Sequence, residues 1–276
     1  MIVSEHPGRW NRRFVVRLSD GALVESVLYR GDTLCVSCQV GCAVRCPFCA
    51  SGANGLGRSL SLDELEAQVE EIASVVARER GPALRGVTVS GIGEPLHNHD
   101  AVSAFVDRCR ARGLRVTLTT SGGPLRRLRE WLRERPHQGL TISVHAGAEA
   151  TRARAVPHGP DLASLFAVLG EELPALGRAR RKRTALAYLL LDGVNDSDAE
   201  IDAFVARAAP LGAPRGVMVH LYAHNPVETS AMRGVDRARY EAVYARMVAA
   251  GLTVRMSAQA RIEANGGCGT LVALRR

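Results

Sequence analysis

The sequence predicts an α/β fold built from repeated strand–helix units. Short apolar runs rich in β-branched residues alternate with amphipathic stretches whose apolar residues recur at the helical period. Six such units in succession indicate a parallel sheet, as a partial (βα)6 barrel or a doubly wound sheet. The predicted strands are Thr33–Val40, Gly86–Ser90, Leu114–Thr119, Leu140–Val144, Thr184–Leu191, Val217–Tyr222 and Leu252–Met256. The predicted helices cover about 61–79, 99–112, 124–135, 161–176, 197–210 and 236–250.

The ends of these helices carry signals of their own. Two candidate capping boxes, Ser61 with Glu64 and Ser197 with Glu200, stand at the start of helical stretches. Gly113 follows the second helix at the C′ position, where a left-handed backbone favours glycine. These signals support the predicted order of elements.

The N-terminal segment has a different pattern. Two apolar runs, Phe14–Leu18 and Leu23–Tyr29, flank the turn sequence Asp20-Gly21 and predict a β-hairpin. We therefore expect residues 1–30 to form a hairpin extension. Residues 31–276 are expected to form one core that ends in a C-terminal loop containing a cysteine.

The composition is that of a globular protein, with 46% hydrophobic and 23% charged residues. The start Met-Ile-Val-Ser-Glu lacks the basic and apolar regions of a signal peptide, and no run approaches the length of a membrane span. We expect a cytoplasmic protein with no membrane partner. The formal net charge of +8 permits an anionic partner such as RNA.

Unusual polar segments follow each of the first six predicted strands. In a parallel α/β fold, the chemistry lies at the carboxyl ends of the strands. In chain order these segments are a cysteine-rich loop, "SGIGEPLHN", "TTSGG", "SVHAG", "LDGVND" and "YAHNPV". Six such coincidences predict one shared site.

Five of the seven cysteines lie between Cys35 and Cys49. In the cytoplasm, clustered cysteines more often bind metal or do redox chemistry than form a disulfide framework. One grouping joins Cys35-x2-Cys38 and Cys46-x2-Cys49 in a four-cysteine zinc site. The other takes Cys42, Cys46 and Cys49 as three ligands of a four-iron cluster, which leaves one iron open to a substrate or cofactor.

The spacing Cys42-x3-Cys46-x2-Cys49, with Phe48 before the last cysteine, resembles the signature of radical S-adenosylmethionine (SAM) enzymes. The segments "TLCVSCQVGCAVRCPFCASG", "SGIGEPLHN", "TTSG", "SVHA", "LLDGVND" and "HNPV" are similar, in order, to landmarks of the RlmN/Cfr type of radical SAM RNA methyltransferase. The similarity runs from about residue 14 to the C-terminus. It implies a partial (βα)6 TIM-like barrel, a [4Fe–4S] cluster on the three cysteines, and SAM.

The resemblance also implies the route of methylation. That family methylates carbon 2 or carbon 8 of adenine, and each turnover uses two SAM molecules. One SAM methylates a carrier cysteine, and the other yields a 5′-deoxyadenosyl radical that takes hydrogen from the S-methyl group. The resulting methylene radical adds to the base, and a second cysteine releases the product as a disulfide forms.

Matching positions give candidate roles to single residues. The carrier would be Cys268 in "NGGCGTL", the resolving thiol Cys35, and the proton acceptor Glu25 in "VESV". Cys38 stands where the family usually has serine, and Cys109 is expected to be buried in a helix and inert. The SAM contacts implied in the same way are Gly93, Glu94, Ser121, Ser143, Val144, His145 and Asn225.

The partners implied by the family are RNA, either 23S ribosomal or transfer RNA, and an electron donor such as flavodoxin or ferredoxin. Two departures from the family pattern bear on the RNA. About a dozen residues precede the hairpin, where the family has an accessory domain that helps to hold RNA. In "RIEANGGCGTL", Arg261 replaces an acidic residue and Thr270 replaces glutamine.

Two other functions therefore stay open. One keeps the chemistry but acts on a small molecule, such as a nucleoside or natural-product intermediate. The other is a zinc-stabilised RNA-binding protein without catalysis. The densest basic run, Arg178–Arg183, precedes the fifth strand and is expected on the face of the barrel away from the cysteines.

Overall fold

The computed structural model of the chain describes residues 1–212, 217–258, 262–263, 267 and 269–272. The strands are β1 (Ile2–Pro7), β2 (Asn11–Arg17), β3 (Leu23–Tyr29), β4 (Thr33–Val36), β5 (Gln39–Gly41), β6 (Leu56–Ser59), β7 (Gly86–Val89), β8 (Arg115–Thr120), β9 (Gly139–Ser143), β10 (Thr184–Leu190), β11 (Met218–Ala223) and β12 (Thr253–Met256). The α-helices are α1 (Leu62–Arg78), α2 (His99–Ala111), α3 (Leu125–Arg133), α4 (Glu149–Ala155), α5 (Leu162–Ala175), α6 (Arg178–Arg181), α7 (Asp198–Ala208) and α8 (Arg237–Ala249).

One ten-stranded sheet organises the described residues, in the order β1-β2-β3-β4-β7-β8-β9-β10-β11-β12. From β4 to β12 each strand runs parallel to its neighbour, and β1 to β4 are antiparallel. The predicted fold class is confirmed as an α/β series with a parallel sheet. Since β1 and β12 are both edges, the sheet of the described residues does not close on itself.

The predicted first strand, Thr33–Val40, is in fact two strands. Between β4 and β5, the Ser37 hydroxyl donates to the carbonyl of Glu25, and the Cys38 N–H donates to the carbonyl of Ile92. These bonds draw the backbone out of the main sheet, so that β5 pairs with β6 in a separate ladder. The N-terminal hairpin also gains a strand that the sequence did not signal, because β1 pairs with β2.

The two faces of the parallel strands differ in chemistry. One face carries fully buried side chains such as Val89, Leu118 and Ile142, which pack with the helices in one core. Along β7, β8 and β9 and directly after them, the other face carries small hydroxyl side chains on Thr88, Ser90, Thr117, Thr119, Thr141 and Ser143. Bulky branched residues usually fill the inside of an α/β barrel. Small ones leave room there for the cavity described below.

The helix-end signals are confirmed with one change. Ser61 and Glu64 form a reciprocal capping box at α1, and Gly113 has a positive φ of 78° after α2. The Ser197 hydroxyl caps α7, but the carboxylate of Glu200 turns away. It accepts instead from the N–H of Gly147 at 2.9 Å and from the next N–H along the chain at 3.0 Å, in the loop after β9.

No helix within the described ranges is long and apolar enough to cross a membrane.

Candidate active site

The loop that carries Cys42, Cys46 and Cys49 is closed at its base by the β5–β6 ladder. The N–H of Cys42 donates to the carbonyl of Gly55 at 3.1 Å, and the N–H of Cys49 donates to the carbonyl of Cys46 at 3.0 Å. All three cysteines are partly exposed. The fold therefore presents them together on one short loop, as the spacing predicts.

An apolar shell lies behind these thiols. Cys42, Cys46 and Phe48 pack against the buried residues Val44 and Val156. Burial raises the pKa of Cys42 to about 12 and that of Cys46 above its ordinary value, and the neighbouring thiols act in the same direction. Thiolates at these positions therefore need a bound cation to stabilise them.

The donor set fits an iron–sulfur cluster better than one zinc ion. Cys42, Cys46 and Cys49 supply three thiols on one loop, which is the donor set of a four-iron cluster with one iron left open. Cys38, which the zinc grouping requires, is only 2% exposed, whereas the three loop cysteines are partly exposed.

The "GEP" segment reaches the end of the neighbouring strand through Glu94. Its carboxylate accepts from the Thr120 hydroxyl at 2.5 Å and from the N–H of Ser121 at 2.6 Å. Gly93 has a φ of 108°, and a Cβ there would lie 2.7 Å from the side chain of Gln39. Three predicted SAM contacts, Gly93, Glu94 and Ser121, are thus held as one unit. The Ser121 hydroxyl is buried without a partner among the described residues, so it is available to a ligand.

A buried arginine, Arg152 in α4, joins the loops after β8 and β9. Its guanidinium donates to the carbonyls of Ser143 at 2.7 Å, Val144 at 2.8 Å, Ser121 at 2.8 Å and Pro160 at 3.0 Å. The residue is 1% exposed, and burial lowers its pKa to about 10. Three of the four carbonyls belong to residues predicted to contact SAM.

His145 closes the end of β9 with a left-handed backbone, at a φ of 57°. Its Nδ1 accepts from the N–H of Leu189 at 2.9 Å, and its ring meets that of Phe48 edge-on, with centroids 5.3 Å apart. Burial, reinforced by the charge of Arg152, lowers the pKa of His145 to about 3. The neutral imidazole therefore connects the cysteine loop to β10.

A cavity of about 140 Å³ lies where these loops meet. Its wall includes the predicted residues Cys49, Ser143, His145 and Asn225. Val144 is fully buried beside it in the core. Cys35 is buried behind the wall of the cavity. Its Sγ lies 3.4 Å from the hydroxyl of Ser90, which lines the cavity.

Glu25 connects the N-terminal sheet to the C-terminal segment. Its carboxylate pairs with the Arg13 guanidinium at 2.6 Å and accepts from the N–H of Val272 at 2.8 Å. Burial raises its pKa above the ordinary value. The same segment reaches the cysteine loop, because the N–H of Ala50 donates to the carbonyl of Gly269 at 2.9 Å. Cys268 and Arg261 lie outside the described residues.

Sequence reasoning missed two residues of the site, Arg152 and His224. Arg152 looked like one of many surface arginines, because α4 was not predicted. His224 lines the cavity and is 8% exposed, and burial lowers its pKa below the ordinary value. Its position next to Asn225 in "HNPV" was the available signal.

Comparison with known proteins decides the family. The family model described as the radical SAM superfamily matches residues 36–205. The chain belongs to the radical SAM superfamily. As a member, it requires a [4Fe–4S] cluster and SAM, which the cysteine loop and the surrounding strand ends are suited to hold.

Relatives narrow the assignment to methyltransferases. The crystal structure of a radical SAM methyltransferase from Sphaerobacter thermophilus superposes with a TM-score of 0.84 at 32% identity, covering 98% of this chain and 80% of that one. A probable RNA methyltransferase of Thiobacillus denitrificans is 37% identical over 97% of this chain and 72% of its own. A probable dual-specificity RNA methyltransferase RlmN of Frankia alni is 34% identical over 95% and 64%. This radical SAM protein is thus an enzyme of the RlmN/Cfr methyltransferase type.

Proposed function

We propose that this enzyme methylates an sp2 carbon of adenine in RNA, carbon 2 or carbon 8, through a methylated cysteine carrier. One observation carries the proposal most directly. The residues around position 268 dock on the turn that follows the cluster cysteines, through the bond from Ala50 to Gly269 and a bond of 2.8 Å from the Ser51 hydroxyl to the carbonyl of Leu271. Since Gly269 directly follows Cys268, this docking supports a carrier thiol beside the cluster.

SAM would supply the methyl group, and the cluster with a second SAM would supply the one-electron chemistry, so each turnover uses two SAM molecules. An electron donor of the flavodoxin or ferredoxin type would reduce the cluster. The residues of the chain hold these cofactors in place. Cys42, Cys46 and Cys49 hold the cluster. The strand-end residues hold SAM: Gly93, Glu94, Ser121, Ser143, Val144, His145 and Asn225. Hydroxyls, backbone carbonyls and a carboxylate suit the ribose, the adenine and the ammonium group of that ligand.

Two thiols and one carboxylate do the remaining work. Glu25 accepts the ring proton of the radical adduct that joins the base to the methylene on Cys268, and one electron leaves to the one-electron carrier, so that a closed-shell thioether remains. The Cys35 thiolate then attacks the sulfur of the thioether and forms an S–S bond. The electron pair of the broken S–CH2 bond stays on the CH2 carbon, which takes a proton and becomes the methyl group. A thiol reductant then returns the Cys35–Cys268 disulfide to two thiols.

RNA as the substrate rests on the relatives named as RNA methyltransferases and on the net charge of +8. Within RNA, the proposed substrates are 23S ribosomal RNA and transfer RNA. A nucleoside or other small molecule is the competing substrate, and the experiment below separates the two.

Mass spectrometry of anaerobically reconstituted protein tests the proposal. We expect one methyl mass on the peptide containing Cys268, absent in Cys268→Ala, and one S-adenosylhomocysteine and one 5′-deoxyadenosine for each methyl transferred. Cys35→Ala is expected to retain the substrate as a covalent adduct whose mass identifies it. Cys109→Ala is the control, because Cys109 is buried in α2 away from the cavity. Efficient SAM cleavage with unmodified Cys268 would overturn the carrier.

A further inference from the structure

A second cleft lies at the unclosed side of the sheet. It adjoins the cavity of the candidate active site, which we call the reaction cavity. This cleft, of about 420 Å³, shares Tyr222 and Ser257 with the reaction cavity. Its other lining residues are Arg30, His220, Arg255, Met256 and Ala258. Arg30 lies between β3 and β4, whereas Arg255 lies in the edge strand β12. The cleft therefore lies between the two ends of the parallel strand series, next to the reaction cavity and with exposed arginines in its lining.

The charges of this cleft favour an anion. Two arginines, Arg30 and Arg255, are exposed in it, and its lining includes no acidic residue. Neither guanidinium group forms an ion pair or hydrogen bond within the part of the chain that the structure describes. His220 stands opposite Arg255 in the β11–β12 register, on the same face. A concave surface lined by positive charges concentrates negatively charged ligands.

An aromatic side chain stands beside these cations. The N–H of Arg30 donates to the carbonyl of Trp10 at 3.0 Å. Trp10 is 40% exposed, and the Arg9 guanidinium lies 5.1 Å from the centre of its ring. One acidic group is close: an oxygen of the Glu263 carboxylate accepts the N–H groups of Arg9 and Trp10. An exposed indole next to free cations is the surface on which single-stranded nucleic acids stack.

Two other arginines of the N-terminal sheet are already neutralised. Arg12 is bound by the carboxylates of Glu5 and Glu79, and Arg13 by Glu25. In the basic run before β10, Arg180 is occupied by the carbonyls of α3 and its end. That run also precedes a parallel strand, so it lies at the amino ends of the strands, away from the cavity.

We propose that the cleft lined by Arg30, His220 and Arg255 binds a backbone phosphate of the RNA substrate, next to the nucleotide whose base enters the reaction cavity. Trp10 stacks on a neighbouring base. This inference rests on the proposed function, because it assigns the strand that carries the target adenine to this side of the protein. It also implies a polynucleotide as the substrate, since a free nucleoside would leave the cleft empty.

Fluorescence anisotropy of the reconstituted holoenzyme with a short fluorescein-labelled single-stranded RNA, containing one central adenine, tests the cleft. Binding is followed between about 50 and 200 mM salt. In Arg30→Gln/Arg255→Gln we expect the affinity for RNA to fall about tenfold or more. The slope of log K against log salt should become less steep by about 1.4, because two phosphate contacts are missing. The charge-preserving pair Arg30→Lys/Arg255→Lys is expected to keep the slope.

Arg178→Gln/Arg183→Gln is the matched control, since it removes two exposed arginines from the opposite face and is expected to bind RNA like the wild type. An unchanged affinity and slope in the cleft glutamine pair would overturn the proposal. So would loss of the slope in the lysine pair, or loss of binding confined to the opposite face. Binding is read without methyl transfer, so the result stands apart from the test of the carrier cysteine.

Discussion

The carboxylate of Glu25 accepts a hydrogen bond at 2.8 Å from the N–H of Val272, a residue 247 positions later in the chain. Its other oxygen pairs with Arg13. Glu25 thus fixes the C-terminal segment, which carries Cys268, against the sheet that contains Cys35. Burial raises the pKa of this carboxyl group, which makes its carboxylate a stronger base for accepting a proton.

Glu25→Gln separates the two tasks of this side chain. The amide oxygen can still accept from Val272, but the group can no longer take up a proton. We expect methylation of Cys268 to persist, while release of the adduct slows by about 100-fold or more. Mass spectrometry would show the accumulated protein–RNA adduct. Glu79→Gln, at an exposed ion pair with Arg12, is the control and should release product normally. Normal release by Glu25→Gln would limit Glu25 to holding the segment.

Arg152 is expected to be a positioning residue for the SAM-binding loops. Arg152→Ala would leave four carbonyls without this donor, two of them in fully buried hydrogen bonds, and we expect the free energy of unfolding of the cluster-free protein to fall by at least about 3 kcal/mol. Arg154→Ala, at an exposed position two residues later, should change it by no more than about 0.5 kcal/mol. Urea unfolding measures both. A loss below about 1 kcal/mol in Arg152→Ala would show that those carbonyls find other partners.

The sequence predicted the parts of the site that depend on chain order. The period of apolar residues placed the strands and helices, and the carboxyl ends of parallel strands necessarily share one edge. Residues after different strands, such as Cys49, His145 and Asn225, could therefore be expected together, and the structure places them around one cavity.

What the sequence could not predict depends on partners distant in the chain. The local pattern put Glu200 in a capping box, but folding brings the N–H groups of Gly147 and its neighbour closer, and the carboxylate binds them. Arg152 carries no local sign of burial, because its acceptors come from three other segments. Likewise, the strand from Thr33 onward breaks at Ser37 only because the carbonyl of Glu25 accepts its hydroxyl.

Glu94 should control SAM affinity through Ser121. Three donors surround its carboxylate: the Thr120 hydroxyl and the N–H groups of Ser121 and Leu96. In Glu94→Gln, an NH2 group would face one of these donors, and Ser121 would move. We expect the Kd for SAM to rise at least about tenfold. Equilibrium dialysis with the reconstituted enzyme measures it, with the exposed Glu171→Gln as control. Unchanged SAM affinity would mean that Ser121 keeps its place without the carboxylate.

His137 should make the protein sensitive to mild acid. The residue is 4% exposed, neither ring nitrogen has a hydrogen-bond partner among the described residues, and burial lowers its pKa to about 4. Between pH 6.5 and 4 the unfolded chain binds a proton on this ring and the folded chain does not, so stability falls as the pH falls, by about 1.4 kcal/mol per unit. His137→Leu removes this dependence. As the pH falls from 7.5 to 5, the free energy of unfolding of the variant, measured with urea, should rise by about 2 kcal/mol relative to that of the wild type. Parallel pH profiles of the two proteins would show that the ring is protonated in the folded state.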